Sequence, residues 1–257
     1  MKKTSLVLSG GGALGAAHIG AVRAIQSKYI IDYIIGTSAG AIMAAAIACG
    51  KSPDEVSSYL KDKKLLTLAF DFSFKGSGII RGKKILALLE KIYEEKTFED
   101  IDTELRICAT NFNTGKLSII KSGSISEAVR ASVSVPGIFD PMWINNEPLV
   151  DGALVANFPI EPATKEYKGE RIFAIDVCTA FSDKFQENSF KLFSIKNNIE
   201  RSLKIIFLNQ KDYQVTDNRV KIIKPSLEKH TAFDILKLKE IEQIGYTDTL
   251  KALEANH

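Results

Sequence analysis

Cysteine is scarce in this sequence, with three in 257 residues. Cys49, Cys108 and Cys178 are far apart, and each lies in an apolar stretch. No two of them form a C-x-x-C pair, so the spacing of a zinc knuckle or a redox pair is absent. An odd number of cysteines in apolar surroundings is typical of buried thiols in a reducing compartment, so we expect a cytoplasmic protein.

Glycine and proline are also few, at 17 and 7 residues, which excludes a low-complexity chain. Hydrophobic residues make up 45% of the sequence and charged residues 25%, the ordinary proportions of a globular protein rather than a disordered one. A chain of this length can bury a core without disulfide or metal cross-links. We therefore expect one domain over residues 1–257.

No apolar run reaches the ~20 residues that a membrane-spanning helix needs. The longest candidate, residues 30–49, is interrupted by Asp32 and by the segment 36–40. The basic start and the apolar run SLVLS imitate a secretory signal, but three consecutive glycines end that run. A strand followed by a glycine turn explains the same letters, and we expect that structure instead.

The sequence has no strong excess of either charge, since 34 basic and 31 acidic residues give a net charge of +3. That balance argues against a nucleic-acid partner, but it permits peripheral contact with an anionic lipid surface such as the inner face of a membrane. The acidic cluster at residues 99–104 lacks the glycine and the terminal glutamate of a calcium loop, so we expect no metal there. The sequence leaves the oligomeric state open.

Apolar runs with strand character alternate with helical patterns along the chain, which predicts a mostly parallel sheet covered by helices on both faces. The fold class is therefore α/β with three layers, α/β/α. The expected strands are 5–9, 33–36, 105–111, 116–120, 148–150, 171–177 and 219–223, and the main expected helices are 13–27, 38–48, 81–93, 126–132, 190–208 and 233–253.

The most informative motif is Gly36-Thr37-Ser38-Ala39-Gly40, a G-x-S-x-G between a predicted strand and a predicted helix. A serine at such a strand-to-helix turn has strained backbone geometry that exposes its hydroxyl. The residues two before and two after it must be small, because strand and helix almost touch there. The positive end of the following helix also favours an anion at the serine. Ser38 is therefore a candidate nucleophile.

A second motif, the glycine loop of residues 10–15, follows the first strand directly. Its glycines Gly10, Gly11, Gly12 and Gly15 allow backbone N–H groups to converge on an anion at a helix N-terminus. The anion could be a dinucleotide pyrophosphate or a tetrahedral oxyanion. A dinucleotide site needs an acid at the end of the second strand, but Asp32 precedes that predicted strand, which leads into the serine turn. The motif thus favours the oxyanion.

A general base for the serine is harder to find, because the chain has only three histidines. His18 suits a packed helix position, His230 a surface cap and His257 the mobile terminus, and none has the context of a catalytic triad. Asp151 follows an apolar strand and precedes Gly152 and Ala153, small residues that would allow close approach to a neighbouring turn. A partly desolvated carboxylate could take the serine proton directly, although the same letters also suit an ordinary Asp-Gly turn.

Taken in order, the glycine loop, the GTSAG turn, the segment 130–136 and Asp151-Gly152-Ala153 resemble the patatin-like phospholipases. The resemblance covers Ser5 to about Ile160. It implies a patatin-like fold, a Ser38–Asp151 dyad without a catalytic histidine, an oxyanion hole at Gly10–Gly15, lipid substrates, and neither cofactor nor metal. One departure is Leu14, where the family usually has a basic residue; it lessens the expectation of a phospholipid head group.

An acyl chain would need an apolar groove, for which two segments are candidates. One is the predicted loop that carries Phe70, Phe72 and Phe74, and the other contains Pro136 and Phe139. The aromatic side chains of the loop would equally well pack beneath it. Gly76 and Gly78 suit a mobile lid, and the predicted helix 190–208 could either cover the sheet or rest on a membrane.

Three functions therefore stay open from the sequence. The first is a serine lipid acyl hydrolase that cleaves carboxylic esters through an acyl-enzyme. The second is a catalytically weak or inactive lipid-binding protein of the same fold, and the third is a nucleotide-binding oxidoreductase. The intact Ser38 and Asp151 favour the first, whereas head-group, positional and chain-length preferences have no signal in the sequence.

Overall fold

A computed structural model describes residues 2–61, 81–178, 201–202, 204–206, 209–210 and 215–255. These residues form an eight-stranded sheet whose main order is β5-β6-β3-β2-β1-β7-β8, with β4 also paired to β3. Strands β1, β2, β3, β7 and β8 are parallel, and β4, β5 and β6 pair antiparallel. The strands are β1 Lys2–Leu8, β2 Tyr29–Thr37, β3 Glu104–Asn111, β4 Leu117–Ile120, β5 Met142–Ile144, β6 Glu147–Asp151, β7 Ile172–Ile175 and β8 Val220–Ile223.

Helices cover both faces of this sheet, which confirms the predicted three-layer α/β/α class with a mostly parallel centre. They are α1 Ala16–Gln26, α2 Ala39–Ala48, α3 Pro53–Lys61, α4 Lys83–Tyr93, α5 Ile125–Ser132, α6 Ala153–Ala156, α7 Ile160–Glu166 and α8 Leu238–Glu254. Short 3₁₀ helices lie at Gly12–Gly15 and Phe98–Asp100.

The alternation of side chains along β1 shows how the two helical layers are separated. Leu6 and Leu8 belong to the larger core cluster, which includes residues of α1, α2 and α8. Val7 points to the opposite face and packs with Ile160 and Ala163 of α7. All three β1 side chains are fully buried, as expected for a parallel strand covered on both sides.

Helix α2, which follows the predicted nucleophile turn, and helix α3 after it have ends defined by local hydrogen bonds. Gly50 has φ +85° and ends α2, with its N–H donating to Ile47 and that of Lys51 to Ala46, the two hydrogen bonds of a Schellman motif. Ser52 and Glu55 exchange side-chain and backbone hydrogen bonds in a capping box at the start of α3.

Helices α1 and α8 approach each other closely through two glycines. A Cβ on Gly20 would lie 2.1 Å from the carbonyl oxygen of Glu242, and one on Gly245 would lie 2.1 Å from that of Ala17. Neither distance leaves room for a side chain. Because both residues are glycine, the backbones of α1 and α8 can come into direct contact. The contact fixes α1, and with it the glycine loop that precedes α1.

Several predicted boundaries differ from the structure, and the two largest shifts are at the start of β2 and at the start of the last helix. Strand β2 begins at Tyr29 rather than Tyr33, because its first residues pair with Lys2–Thr4 of β1. The last helix begins at Leu238 rather than Phe233. There, the N–H of Thr231 donates to the Asp234 carboxylate and the N–H of Asp234 returns to the Thr231 carbonyl, so local turns replace the first helical turn.

The predicted helix 190–208 lies mostly outside the described residues, as do the loop of Phe70, Phe72 and Phe74 and the glycines Gly76 and Gly78. Within the part of the chain that the structure describes, no helix has both the length and the apolar character needed to cross a membrane.

Candidate active site

Ser38 lies at the sharp turn between β2 and α2, at the carboxyl end of the parallel strands. Its φ of 53° and ψ of −121° are strained for a residue with a side chain. A Cβ on Gly36 would lie 2.5 Å from the carbonyl oxygen of Gly40, and one on Gly40 would lie 2.3 Å from that of Leu8. The two glycines of the motif are thus required by contacts between backbones, which is the physical reason expected from the sequence.

The structure brings Asp151 to this serine. Ser38 Oγ donates a hydrogen bond of 2.8 Å to Asp151 Oδ2. Asp151 ends β6 and pairs with Ala109 of β3. Directly after it, a Cβ on Gly152 would lie 2.3 Å from the carbonyl oxygen of Cys108. The small residue therefore permits the close approach that places the carboxylate beside the turn.

Burial changes the acidity of this carboxyl group. Asp151 is 3% exposed, and desolvation raises its pKa from 3.8 to about 7, against the opposing effects of hydrogen bonds from the Ala153 N–H and the Ser38 hydroxyl. The Ala153 bond to Oδ1 is 2.9 Å long and orients the carboxylate. A carboxyl group with a pKa near neutrality can exchange a proton with a hydroxyl more readily than an ordinary aspartate.

Ser132 holds the backbone of the serine turn, a contact that sequence reasoning missed. The N–H of Ser38 donates to Ser132 Oγ at 2.8 Å, and Ser132 Oγ donates to the carbonyl oxygen of Cys108 at 2.6 Å. The side chain is fully buried on α5. Ser132 lies in the segment 130–136, which is part of the family resemblance. The sequence does not show, however, that its hydroxyl accepts a hydrogen bond from the distant Ser38 N–H.

The glycine loop lies directly against Ser38. A Cβ on Gly10 would lie 3.2 Å from the Ser38 Cβ and 2.5 Å from Asn157 Oδ1. The N–H of Gly10 donates to the Asn157 carbonyl at 3.0 Å, so this amide is already occupied. The N–H groups of Gly11 and Gly12 have no acceptor among the residues described, and Gly12 has φ +57°.

Gly15 has a packing role at this loop. A Cβ there would lie 2.5 Å from the Cβ of Ala39, the first residue of α2. Leu14, the departure from the family pattern, is 5% exposed and belongs to the larger core cluster. Its side chain therefore packs in the core, while its N–H donates to the Gly11 carbonyl at 3.1 Å.

Two further residues, both missed at the level of sequence, hold the first glycine. Asn157 Nδ2 donates to Cys178 Sγ, and Cys178 Sγ donates to the carbonyl oxygen of Gly10, each at 3.2 Å. With the bond from Gly10 N–H to Asn157, the three groups form a closed ring of hydrogen bonds. Gln210 extends this support by donating to the carbonyls of Ala153 and Leu154.

The two histidines within the described ranges, His18 and His230, take no part in this arrangement. His18 is fully buried, its Nε2 lies 2.8 Å from the Ser9 carbonyl oxygen, and burial lowers its pKa to about 4. His230 is 5% exposed, so the expected surface position is wrong; its ring faces Asp234 and Glu240 at 3.8 and 3.5 Å. In the described parts of the chain, Asp151 is the one hydrogen-bond partner of Ser38 Oγ. His257 lies outside those parts.

Of the residues predicted to line an acyl groove, only Pro136 and Phe139 fall within the described ranges. Both are half-buried. The Phe139 ring lies 5.4 Å from the guanidinium carbon of Arg130, which is itself buried and donates to the carbonyls of Gly82 and Asp140. Phe139 thus packs on a buried cation at the end of α5.

The glycine loop lacks the acid that a dinucleotide site would need. Asp32 lies inside β2, five residues before Thr37, and its carboxylate accepts a hydrogen bond from Tyr167 Oη at 3.0 Å. Lys3 lies 3.6 Å from the same carboxylate. That acid is therefore near the other end of the sheet, and the position beside the loop holds Ser38.

The sequence of this chain is similar to those of known proteins. The family model described as patatin-like phospholipase matches residues 6–164. An uncharacterized NTE family protein of Mycobacterium tuberculosis is 31% identical over 163 residues, 62% of this chain and 45% of that protein. Lysophospholipase NTE1 of Coccidioides immitis is 32% identical over 184 residues, 68% of this chain and 12% of that protein. The chain thus spans less than half the length of these curated relatives.

Solved structures of low sequence identity share the fold. VipD from Legionella pneumophila has a TM-score of 0.61 at 16% identity, covering 99% of this chain and 67% of VipD. ExoU in complex with SpcU, from the type III secretion system of Pseudomonas aeruginosa, has a TM-score of 0.53 at 16% identity, covering 98% of this chain and 52% of that chain. The predicted patatin-like fold is thereby confirmed.

Proposed function

Because this chain belongs to the patatin-like phospholipase family, we propose that it is a serine hydrolase of lipid carboxylic esters, with Ser38 as nucleophile and Asp151 as proton acceptor. One observation carries the proposal: the Ser38 hydroxyl donates a 2.8 Å hydrogen bond to a carboxylate that is 3% exposed. A desolvated carboxylate in contact with a hydroxyl can accept its proton without a histidine between them. Family membership supports lipid esters as the substrate class.

In the acylation step, Ser38 Oγ bonds to the ester carbonyl carbon while its proton passes to Asp151 Oδ2. The carbonyl oxygen becomes an oxyanion, to which the N–H groups of Gly11 and Gly12 donate hydrogen bonds. The tetrahedral intermediate then expels the alkoxide, and Asp151 returns the proton to it. The products of this step are an acyl-serine and a free alcohol.

In the deacylation step, water attacks the acyl-serine carbonyl and Asp151 accepts one of its protons. The same glycine amides stabilise the second oxyanion. Collapse of that intermediate breaks the bond to Ser38 Oγ, which regains its proton from Asp151, and the fatty acid leaves. Neither step needs a cofactor. The pKa of about 7 suits a group that accepts and returns a proton in each step.

A fluorophosphonate probe tests the proposal directly. We expect Ser38 Oγ to displace fluoride from phosphorus, and peptide mass mapping to find one adduct, on the peptide that contains Ser38. The labelled protein should lose the ability to hydrolyse a panel of lysophospholipid, phospholipid and acylglycerol substrates. Failure to label, combined with retained lipid binding, would indicate an inactive lipid-binding protein, and a nicotinamide or flavin titration that saturates would indicate the nucleotide-binding alternative.

Ser132→Ala is expected to lower kcat by up to about 100-fold, because the nucleophile turn loses the side chain that fixes its backbone. The substitution leaves the buried N–H of Ser38 without its 2.8 Å acceptor. Steady-state hydrolysis of a water-soluble p-nitrophenyl ester measures this effect. Burial of an unsatisfied N–H should also reduce the free energy of unfolding by about 1–3 kcal/mol.

Ser126→Ala provides the matched control for this substitution. Ser126 lies on the same helix and is fully buried, but its hydroxyl has no partner among the described residues. We expect this variant to keep its activity and its stability within about 0.5 kcal/mol. Equal losses of kcat in both variants would show that Ser132 acts only through general packing of α5.

A further inference from the structure

Four large apolar side chains are more than half exposed among the residues described. They are Phe112, Trp143, Ile235 and Leu236, exposed at 54%, 64%, 61% and 87%. Single exposed apolar residues are normal on protein surfaces, but large exposed groups that share one region indicate a binding surface. Strand directions place Phe112 and Trp143 at the end of the sheet that carries Ser38, and Ile235 and Leu236 follow Ala232, which contacts the glycine loop at that end.

Phe112 and Trp143 form one side of this region. The N–H of Phe112 donates to the Pro148 carbonyl at 2.8 Å, and Trp143 pairs with Pro148 across β5 and β6. Neighbours across adjacent strands share a face, so the two aromatic residues flank Pro148 on the same side of the sheet. Thr37 pairs with Cys108, so Phe112 lies four residues, or about 13 Å, beyond the end of β2.

Ile235 and Leu236 form the other side. They belong to the turns between β8 and α8, and the neighbouring carbonyl of Ala232 accepts the N–H of Ala13 in the glycine loop at 2.8 Å. The strand order places β8 and β5 at opposite edges of the sheet, with the strand that leads into Ser38 between them. The apolar side chains therefore lie on both sides of the candidate active site.

Basic side chains accompany both pairs. A cavity of about 490 Å³ beside Trp143 is lined by the exposed Arg81 and Lys83 and the half-buried Asp140, with the buried Arg130 behind them. Leu236 is followed by the exposed Lys237 and Lys239, with Asp234 and Glu240 nearby. Aromatic and apolar groups next to lysine and arginine are typical of surfaces that enter the head-group region of an anionic bilayer.

From these placements we infer that Phe112, Trp143, Ile235 and Leu236 form a docking rim by which the protein lies on an anionic phospholipid surface, with the mouth of its active site facing the bilayer. A flat partner can contact both sides of the sheet end at once, while its own esters stay opposite Ser38. The choice of a lipid surface over a protein partner rests on the proposed function. The exposed side chains of Arg81 and Lys83, beside Trp143, add positive charge toward the acidic head groups.

Trp143 is the only tryptophan in the chain, so it reports on its own insertion. The experiment uses full-length Ser38→Ala protein, which separates docking from hydrolysis. We expect vesicles of phosphatidylcholine with 30% phosphatidylglycerol to shift the Trp143 emission to shorter wavelength, and brominated acyl chains to quench it. Pure phosphatidylcholine vesicles should bind at least about tenfold more weakly, because a surface without net charge does not attract the basic side chains.

The double substitution Phe112→Ala with Leu236→Ala, made in the same Ser38→Ala protein, keeps Trp143 as the reporter. We expect it to weaken vesicle partitioning at least about tenfold, since two large apolar side chains are removed. Ile30→Ala is the matched control: Ile30 is 47% exposed, but it lies near the start of β2, at the opposite end of the sheet. Its partitioning should stay within twofold of the parent.

Three results would overturn the inference: no emission shift with any vesicle, equal loss of binding in the Ile30 control, or a shift that depends on protein concentration without vesicles. The last would identify the rim as a contact between copies of the chain. Failure of docking in a protein whose Ser38 reacts with the fluorophosphonate leaves the proposed function intact. Failure of labelling in a protein that binds vesicles rejects the enzyme and retains the rim.

Discussion

Ser38→Ala should lower kcat/KM for a medium-chain p-nitrophenyl ester by at least about 10⁴-fold, because the acyl-enzyme cannot form without the hydroxyl. The residual rate would come from the glycine amides and from substrate binding. The substitution should leave the fold almost unchanged. Alanine tolerates the φ of 53° no worse than serine does, and the Ser38 N–H keeps its bond to Ser132. Steady-state hydrolysis of the ester measures the loss of activity, and a thermal melt measures any change in stability.

The labelling reaction supplies the control for this variant. The fluorophosphonate adduct should disappear in Ser38→Ala and persist in Ser126→Ala. Ser126 is buried on α5 and is not the proposed nucleophile. A Ser38→Ala protein that kept one tenth of the parent activity would contradict the assignment of the nucleophile. In that case another hydroxyl or a bound water would have to attack the ester.

Local features of this site can be predicted from sequence because each depends on neighbouring residues. The G-x-S-x-G spacing predicts the turn at Ser38, since Gly36 and Gly40 are the positions where a Cβ would collide with backbone. The capping box of Ser52 and Glu55 is likewise a contact over three residues. Continuous apolar runs such as that of β1 predict strands buried on both faces.

Contacts across long stretches of chain cannot be obtained in this way. Ser38 and Asp151 are separated by 113 residues, and Ser38 and Ser132 by 94. Their meeting depends on the pairing of β3 with both β2 and β6, a register that periodicity alone does not determine. Asp151 is a candidate from sequence because an apolar strand precedes it, small residues follow it and the family resemblance includes it, whereas Asn157 has no such signal. The prediction of His230 as a surface cap is wrong, because the last helix begins at Leu238 rather than Phe233 and the His230 ring is buried.

Asp151→Asn should lower kcat/KM by about 10³–10⁴-fold, because the amide keeps the shape of the carboxylate but accepts no proton. In the parent protein, the base form of Asp151 exists above its pKa of about 7. Activity should therefore fall tenfold per pH unit below 7 and reach a plateau above about 8. The variant should lose this dependence. Asp102→Asn, on an exposed turn, is the matched control and should retain the parent profile.

Although Asp151→Asn should lower activity, it should raise the stability of the fold at high pH. The pKa of Asp151 is raised on folding from 3.8 to about 7, so folding favours the protonated carboxyl, and the parent protein loses stability as the pH rises through this interval. At pH 8 the buried charge costs up to about 4 kcal/mol, which an asparagine avoids. We expect Asp151→Asn to unfold at higher denaturant concentration than the parent at pH 8, with the difference shrinking toward pH 4. A variant less stable than the parent at pH 8 would mean that Asp151 is ionised at little cost, and that its proton affinity is too low for the proposed base.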